Sequence, residues 1–157
     1  MSAAYRFRTV WRLPADPRRC WAELLRVLEP ADTAAPWRGV RIASEHVKAA
    51  GPEAGDRVTM WVRSPLGFGL RADLVLTEVT PGVRLCARSA GDLRGAGRVE
   101  LYRSGRGTAA VVRWEVSPQK PWMRRLPQLT RPAFVAAHAL VMRRGRRALR
   151  RRLTRAG

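Results

Sequence analysis

The spacing of apolar positions changes character twice along the chain. Residues 5–13 alternate strictly: Tyr5, Phe7, Thr9, Trp11 and Leu13 share one side, and Arg6, Arg8, Val10 and Arg12 share the other. A period of two predicts a strand with one covered face and one wet face. Leu13-Pro-Ala-Asp-Pro follows, where Asp16 can cap a helix and Pro17 takes its first position. The helix is predicted to run to about Leu28, with Cys20, Trp21, Leu24, Leu25 and Leu28 as its apolar side. Residues 30–39 read as a short helix or turn anchored by Trp37.

From Val40 the pattern returns to alternation and predicts about six further strands, over 40–48, 57–63, 70–80, 83–89, 94–103 and 109–116. Gly51-Pro-Glu-Ala-Gly, Thr80-Pro-Gly and Ser104-Gly-Arg-Gly-Thr mark turns between them. In 70–80, parity puts Leu70, Ala72, Leu74 and Leu76 on the apolar side, and Glu78 with them, whereas Asp73 falls on the arginine-rich side. The three glycines of Gly91-Asp-Leu-Arg-Gly-Ala-Gly97 suggest a bulged strand start, with Asp92 and Arg94 as a local ion pair or turn residues.

The last change is to helical spacing. A connector interrupted by Pro118, Pro121, Pro127 and Pro132 leads to one long helix over 134–153. Phe134, His138, Val141, Met142, Gly145, Ala148, Leu149 and Leu153 form its inner arc at 100° per residue. Arg143, Arg144, Arg146, Arg147, Arg150 and Arg151 lie outside that arc. Strand, one or two short helices, a run of strands and a long helix make a single α+β domain over 1–157, in which a curved antiparallel sheet holds the helix. Such a layout encloses a cavity, so the first functional question is what the cavity holds.

Composition narrows the choices. An apolar fraction of 46% in 157 residues fits one globular core. No apolar run reaches the ~18 residues of a membrane span. The N-terminal residues lack the apolar block of a signal peptide, so a cytoplasmic location is expected. Cys20 and Cys86 then read as free thiols. Histidine occurs only at positions 46 and 138, too few for a histidine-based metal centre, and neither a metal nor a cofactor is expected. The formal net charge is +19, almost all of it arginine. It leaves two readings open: a solvated face, or weak contact with an anionic membrane or nucleic acid through the six helix arginines. On the first strand, arginine and aromatic residues point to opposite faces, which argues against a base-stacking platform there.

His138 is the one titratable group on the inner arc. It reads either as a ligand partner or acid/base group, or as a structural histidine. No carboxylate can be placed beside it, and no serine elbow or triad order is present, so no catalytic residue is assigned.

The opening strand into Leu13-Pro-Ala-Asp-Pro-x-x-x-Trp21, the Gly91-to-Gly97 segment, Gly107-Thr108 with Trp114, Lys120-Pro-Trp-Met123 and His138-x-x-Val-Met-x-x-Gly145 together carry a resemblance. The chain resembles the START-like helix-grip superfamily, which includes polyketide cyclase/dehydrase and lipid-transport proteins. The resemblance spans nearly the whole chain. It implies about seven antiparallel strands wrapped around the C-terminal helix, and an apolar cavity for a lipid, sterol or polyketide. It also implies polar neighbours for His138, where this chain has Ala137 and Ala139.

The expected function is therefore binding of a hydrophobic small molecule, lipid or polyketide-like. It would lie between the sheet (Phe7, Trp11, Leu74, Leu85, Leu101, Trp114) and the helix (Phe134, His138, Val141, Met142). The alternatives are a cyclase or dehydratase using the same cavity, and a basic adaptor at anionic membranes or nucleic acid.

Overall fold

The computed structural model describes residues 5–28, 38–45, 50–64 and 67–155. Tyr5–Leu13 forms β1 and Pro17–Arg26 forms α1. Asp16 caps α1 as its sequence suggests, its carboxylate accepting from the Arg19 amide at 3.0 Å. Six strands follow: β2 (Val40–Glu45), β3 (Arg57–Arg63), β4 (Gly69–Thr80), β5 (Arg84–Gly91), β6 (Leu93–Ser104) and β7 (Gly107–Pro118). Two helices end the chain, α2 (Pro121–Arg125) and α3 (Pro127–Arg155). The expected turn around Trp37 and the end of the strand predicted over 40–48 lie outside the described residues.

The seven strands make one antiparallel sheet in the order β1-β7-β6-β5-β4-β3-β2. The first strand closes against the last, Phe7 opposite Trp114 and Trp11 opposite Ala110. Alternation then sets the faces. Tyr5, Trp11 and Leu13 are buried while Arg6, Arg8 and Arg12 are exposed. The long helix lies along β1 and α1 on the inner side. Its buried stripe is Thr130, Phe134, Ala137, Val141, Gly145, Leu149 and Leu153. Leu149 and Leu153 are almost completely buried, and each contributes roughly 2 kcal/mol of burial energy.

Three local expectations change. The proline-rich connector is mostly helical, because Pro121 and Pro127 stand at first helical positions, where the missing amide costs nothing. Pro132 sits inside α3, only five residues after its start. Glu78 points outward, because a bulge between Leu76 and Glu78 resets the alternation and turns Val79 inward instead. Of the two readings of Asp92 the turn holds and the ion pair with Arg94 does not: Asp92 is the turn residue between β5 and β6. It accepts from the Arg71 amide at 2.8 Å and lies 3.9 Å from the Lys120 ammonium, tying the β5–β6 turn to β4 and to the start of α2.

Candidate functional site

Two packed clusters close the ends of the space between sheet and helix. The first joins Trp11, Leu13, Leu101 and Ala110 of the sheet to Cys20 and Trp21 of α1 and to Leu149 and Leu153 of α3. It is tied by the Thr108 hydroxyl, which donates to the Ala15 carbonyl at 2.7 Å. The second joins Tyr5, Leu70, Leu93 and Val116 to Met123 of α2 and Phe134 of α3.

Between the clusters the inner face of the sheet is only half covered. Register places Thr9, Val112, Val99, Leu85 and Val79 in one transverse row facing inward. All five are half-buried, although their neighbours in the clusters are fully buried. The adjoining positions Phe7, Trp114, Gly97 and Ala87 are half-buried as well, as are His138 and Met142 across from them on α3. Val79, Leu85, Val99 and Met142 pack against the edge of the first cluster, and Phe7 and Trp114 against the second, which leaves a partly uncovered seam between the clusters as the candidate cleft. Its floor is shallow at Gly97 for a steric reason. A Cβ there would overlap the Trp114 ring, so glycine lets that indole lie against β6.

One wall of the cleft is aromatic. The His138 imidazole stacks on Phe7 with ring centres 3.8 Å apart and planes 12° apart. Phe134 meets Phe7 and Tyr5 edge-on, at 5.7 Å and 4.6 Å. Burial pushes the His138 pKa down from 6.5 to about 4, so the ring is neutral at pH 7. Among the described residues it has no hydrogen-bond partner and no carboxylate beside it. A neutral imidazole in this setting can donate one hydrogen bond and accept another within an otherwise apolar wall.

The structure thus brings Phe7, Phe134 and His138 into ring contact, sets Trp114 opposite Phe7 in register, and packs Leu85 and Met142 against the first cluster at the edge of the seam. Leu74 is half-buried further along the inner face, opposite Ser89, and Val141 is buried on the helix stripe. Trp11 and Leu101 are 4% and 6% exposed inside the first cluster and close the cleft's end. Sequence reasoning did not name Thr9, Val79, Ala87, Gly97, Val99 and Val112 as site residues, although they are half-buried on the same inner face. The small residues at 87 and 97 were the available signal, since they stand in register on neighbouring strands.

The outer face of the sheet is chemically opposite. Arg8, Arg113 and Arg98 stand directly opposite one another on three adjacent strands. With Arg6 and Arg88 they line a shallow groove of about 600 Å³. Glu100 offsets part of this charge, lying 2.9 Å from Arg113, 3.1 Å from Arg98 and 3.2 Å from Arg84. Its pKa is held below the usual carboxylate value by the Tyr102 hydroxyl, 2.8 Å away, and then by Arg98 and Arg84. Cys86 lies on this face and Cys20 in the core, both as free thiols whose pKa burial raises. Of the helix arginines, Arg150 donates to the Arg12 carbonyl at 2.9 Å and Arg144 is half-buried, while Arg143, Arg146, Arg147 and Arg151 are exposed. Among the described residues no group of His, Cys, Asp and Glu could hold a metal ion, and no helix is long and apolar enough to cross a membrane.

A seven-stranded antiparallel sheet closed around a long C-terminal helix, over a half-covered inner face, decides the architecture. The fold is the START-like helix grip. Solved structures with the same architecture span almost the whole chain. A Thermus thermophilus protein (TTHA0849) superposes with a TM-score of 0.71 at 19% identity, covering 98% of this chain and 99% of its own. The Zhui aromatase/cyclase of Streptomyces sp. R1128 also gives 0.71, at 15% identity and with 98% and 95% covered. A Polyketide_cyc-like protein of Corynebacterium glutamicum (Cgl2372) gives 0.60 at 13% identity, with 98% and 94% covered. No family model and no curated protein matches the sequence. At these identities the likeness is one of fold.

Proposed function

We propose that this helix-grip protein binds a hydrophobic small molecule, lipid or polyketide-like, in the cleft between the sheet and α3. The observation that carries the reading is the half-buried inner row from Thr9 to Val79, framed by two solid clusters. Apolar surface left uncovered there is a free-energy reserve of about 25 cal/mol per Å² for whatever covers it. The aromatic wall favours a flat or unsaturated portion of the ligand, and His138 supplies the polar contact that orients it. A cytoplasmic location accords with the free thiols.

The test uses an uncharged dye, Nile red, so that the outer arginines do not contribute. The native protein should bind it with a blue-shifted emission. Val112→Trp, which fills the middle of the row, should weaken that binding at least tenfold while the circular dichroism spectrum is kept. Equal binding by both proteins, with nothing extractable from the purified native protein, would sink the proposal.

A second reading, chemistry of the cyclase or dehydratase kind in the same cleft, draws on the aromatase/cyclase among the structures of like fold. Here it would rest on His138 alone, as a neutral base. Binding without turnover fits a lone imidazole flanked by Ala137 and Ala139 better. His138→Ala separates the readings: an enzyme loses turnover, whereas a carrier keeps most of its affinity.

A further inference from the structure

The outer face of α3 changes character halfway along. Over its first three turns the exposed positions include Leu129, Pro132, Val135, Ala136 and Ala139. Over the remaining turns the exposed positions are Arg143, Arg146, Arg147, Arg150 and Arg151, with their neighbours. The exposed apolar stretch continues into α2 and the link after it. Trp122 is 40% exposed, Leu126 52%, Leu129 71% and Val135 44%. These four large apolar side chains fall within fourteen residues, a density far above the scattered single exposures of an ordinary surface. Trp122 also meets Phe68 edge-on at 5.4 Å, so the apolar stretch reaches the chain leading into β4.

The charge carried by this stretch has one sign, and the nearest carboxylate, Asp92, is 3.9 Å from Lys120 at the start of α2. Arg124, Arg125 and Arg131 are interleaved with it, and Arg143 follows at its end. Glu115 is the last acidic residue of the chain; from Val116 to Gly157 there are twelve Lys and Arg and no Asp or Glu. Apolar side chains at the level of a basic rim, with a tryptophan among them, are the chemistry of an anionic bilayer interface. A second copy of the chain fits less well. In a two-fold contact the same arginines would face one another, and Asp92, engaged by the Arg71 amide and near Lys120, is a single carboxylate against them. A nucleic acid would match the charge but leave the leucines uncovered.

We infer that the α2 segment and the first turns of α3 form a docking surface for an anionic membrane. Trp122, Leu126 and Leu129 enter the headgroup region, and Arg124, Arg125 and Arg131 meet lipid phosphates. The surface adjoins the second core cluster, through Met123 and Phe134, and so lies beside one end of the cleft. The inference stands independently of the cleft's occupant, because dye binding reads the cleft without any vesicle present.

The experiment is co-sedimentation of the full chain with vesicles of phosphatidylcholine containing 40% phosphatidylglycerol, against vesicles of phosphatidylcholine alone. The protein should partition onto the anionic vesicles at least tenfold more strongly. Leu126→Asn with Leu129→Asn should reduce that partition at least tenfold, and since both side chains are exposed the fold should be kept. Two charge-removing controls, Arg146→Gln with Arg147→Gln on the basic half of α3 and Arg8→Gln with Arg88→Gln on the sheet, should change it less than threefold. The inference is overturned if the Leu pair has no effect or if the control pairs reduce binding as much as it does. A concentration-dependent dimer that the Leu pair dissociates, without vesicle binding by the native chain, also overturns it and assigns the patch to a second copy.

Discussion

Replacing His138 with phenylalanine should make the protein more stable in weak acid, and the size of the effect follows from the ring's surroundings. The imidazole stacks 3.8 Å from Phe7 and finds no compensating charge, so burial lowers its pKa from 6.5 to about 4. In the unfolded chain the same histidine takes up a proton near pH 6.5. Between those two values the unfolded state binds more protons than the folded one. Native stability therefore falls as the pH drops from about 6.5 to about 4, and is constant in this respect outside that window. At ~1.4 kcal/mol per pH unit the full difference would be at most ~3.4 kcal/mol. The ring keeps an edge in the open cleft, where solvent screens it, and about 1.5 kcal/mol is the expected size. His138→Phe preserves the stack on Phe7 and removes the proton linkage. Urea unfolding followed by far-ultraviolet circular dichroism, on ligand-free protein at pH 4.5, 5.5, 6.5 and 7.5, measures the gap between the two proteins. The gap should shift in favour of the variant by about 1–2 kcal/mol between pH 7.5 and 4.5. Carboxylates such as Glu100 titrate in both proteins and cancel. Parallel curves, or a proton resonance of His138 titrating near 6.5, would refute the burial argument and with it the neutral ring at pH 7.

Three other substitutions probe the frame around the cleft. Gly97→Ala places a methyl group where the Trp114 ring lies, so it should cost about 1–3 kcal/mol in a thermal melt and alter the near-ultraviolet signal of that indole. Asp16→Ala removes the cap on the Arg19 amide and should cost about 1 kcal/mol by urea titration, with dye binding in the cleft unchanged. Glu100→Gln leaves Arg84, Arg98 and Arg113 together without their shared carboxylate and should cost about 2 kcal/mol near neutral pH. Because the Glu100 pKa is depressed on folding, its contribution is present above the ordinary carboxylate range and lost as the pH falls through the depressed value. The Gln variant should therefore converge with the native protein in acid, and a gap that stays constant down to pH 3 would contradict the pairing.

Much of the architecture is legible in the sequence because alternation survives in nearly every strand. Residues 5–13 announce their own burial pattern, and the β6 and β7 strands fall within two residues of their predicted ends. Three features are not legible, each for a physical reason. Parity puts Glu78 inward because a bulge adds one residue without any glycine or proline to signal it; only pairing with β5 reveals the shift at Leu76. The prolines of 121–132 look like interruptions, yet two of them stand at helix starts, where proline is tolerated and its fixed φ helps. The half-buried row is invisible for a different reason. Thr9, Val99 and Val112 have the same parity as the fully buried Trp11 and Leu101. Alternation gives the face of a strand; it does not say whether a helix covers that face.

For the same reason aromatic size is a poor guide to cleft residues. Trp11 is a large inward side chain, and its size is what lets it fill the space against Trp21 and Leu149 completely. The partly uncovered seam borders the point where Gly97 and Ala87 stand side by side on β6 and β5. Trp114 lies over the gap at Gly97, leaving one flank of its indole to the interior. The same logic runs along α3. Ala136 and Ala139 keep its outer side smooth, and Ala137 lies on its buried stripe just before the neutral His138. Past Met142 the exposed side becomes arginine and the inner side becomes Leu149 and Leu153. The helix thus divides at about Met142 into a half that borders the cleft and a half that anchors it to α1. A substitution such as Leu149→Ala should cost about 3 kcal/mol of stability, measured by urea unfolding, and leave dye affinity nearly intact. Phe134→Ala should cost both, because that ring belongs to the second cluster and to the aromatic wall at once. If the two substitutions affected binding alike, the division of the helix at Met142 would be wrong.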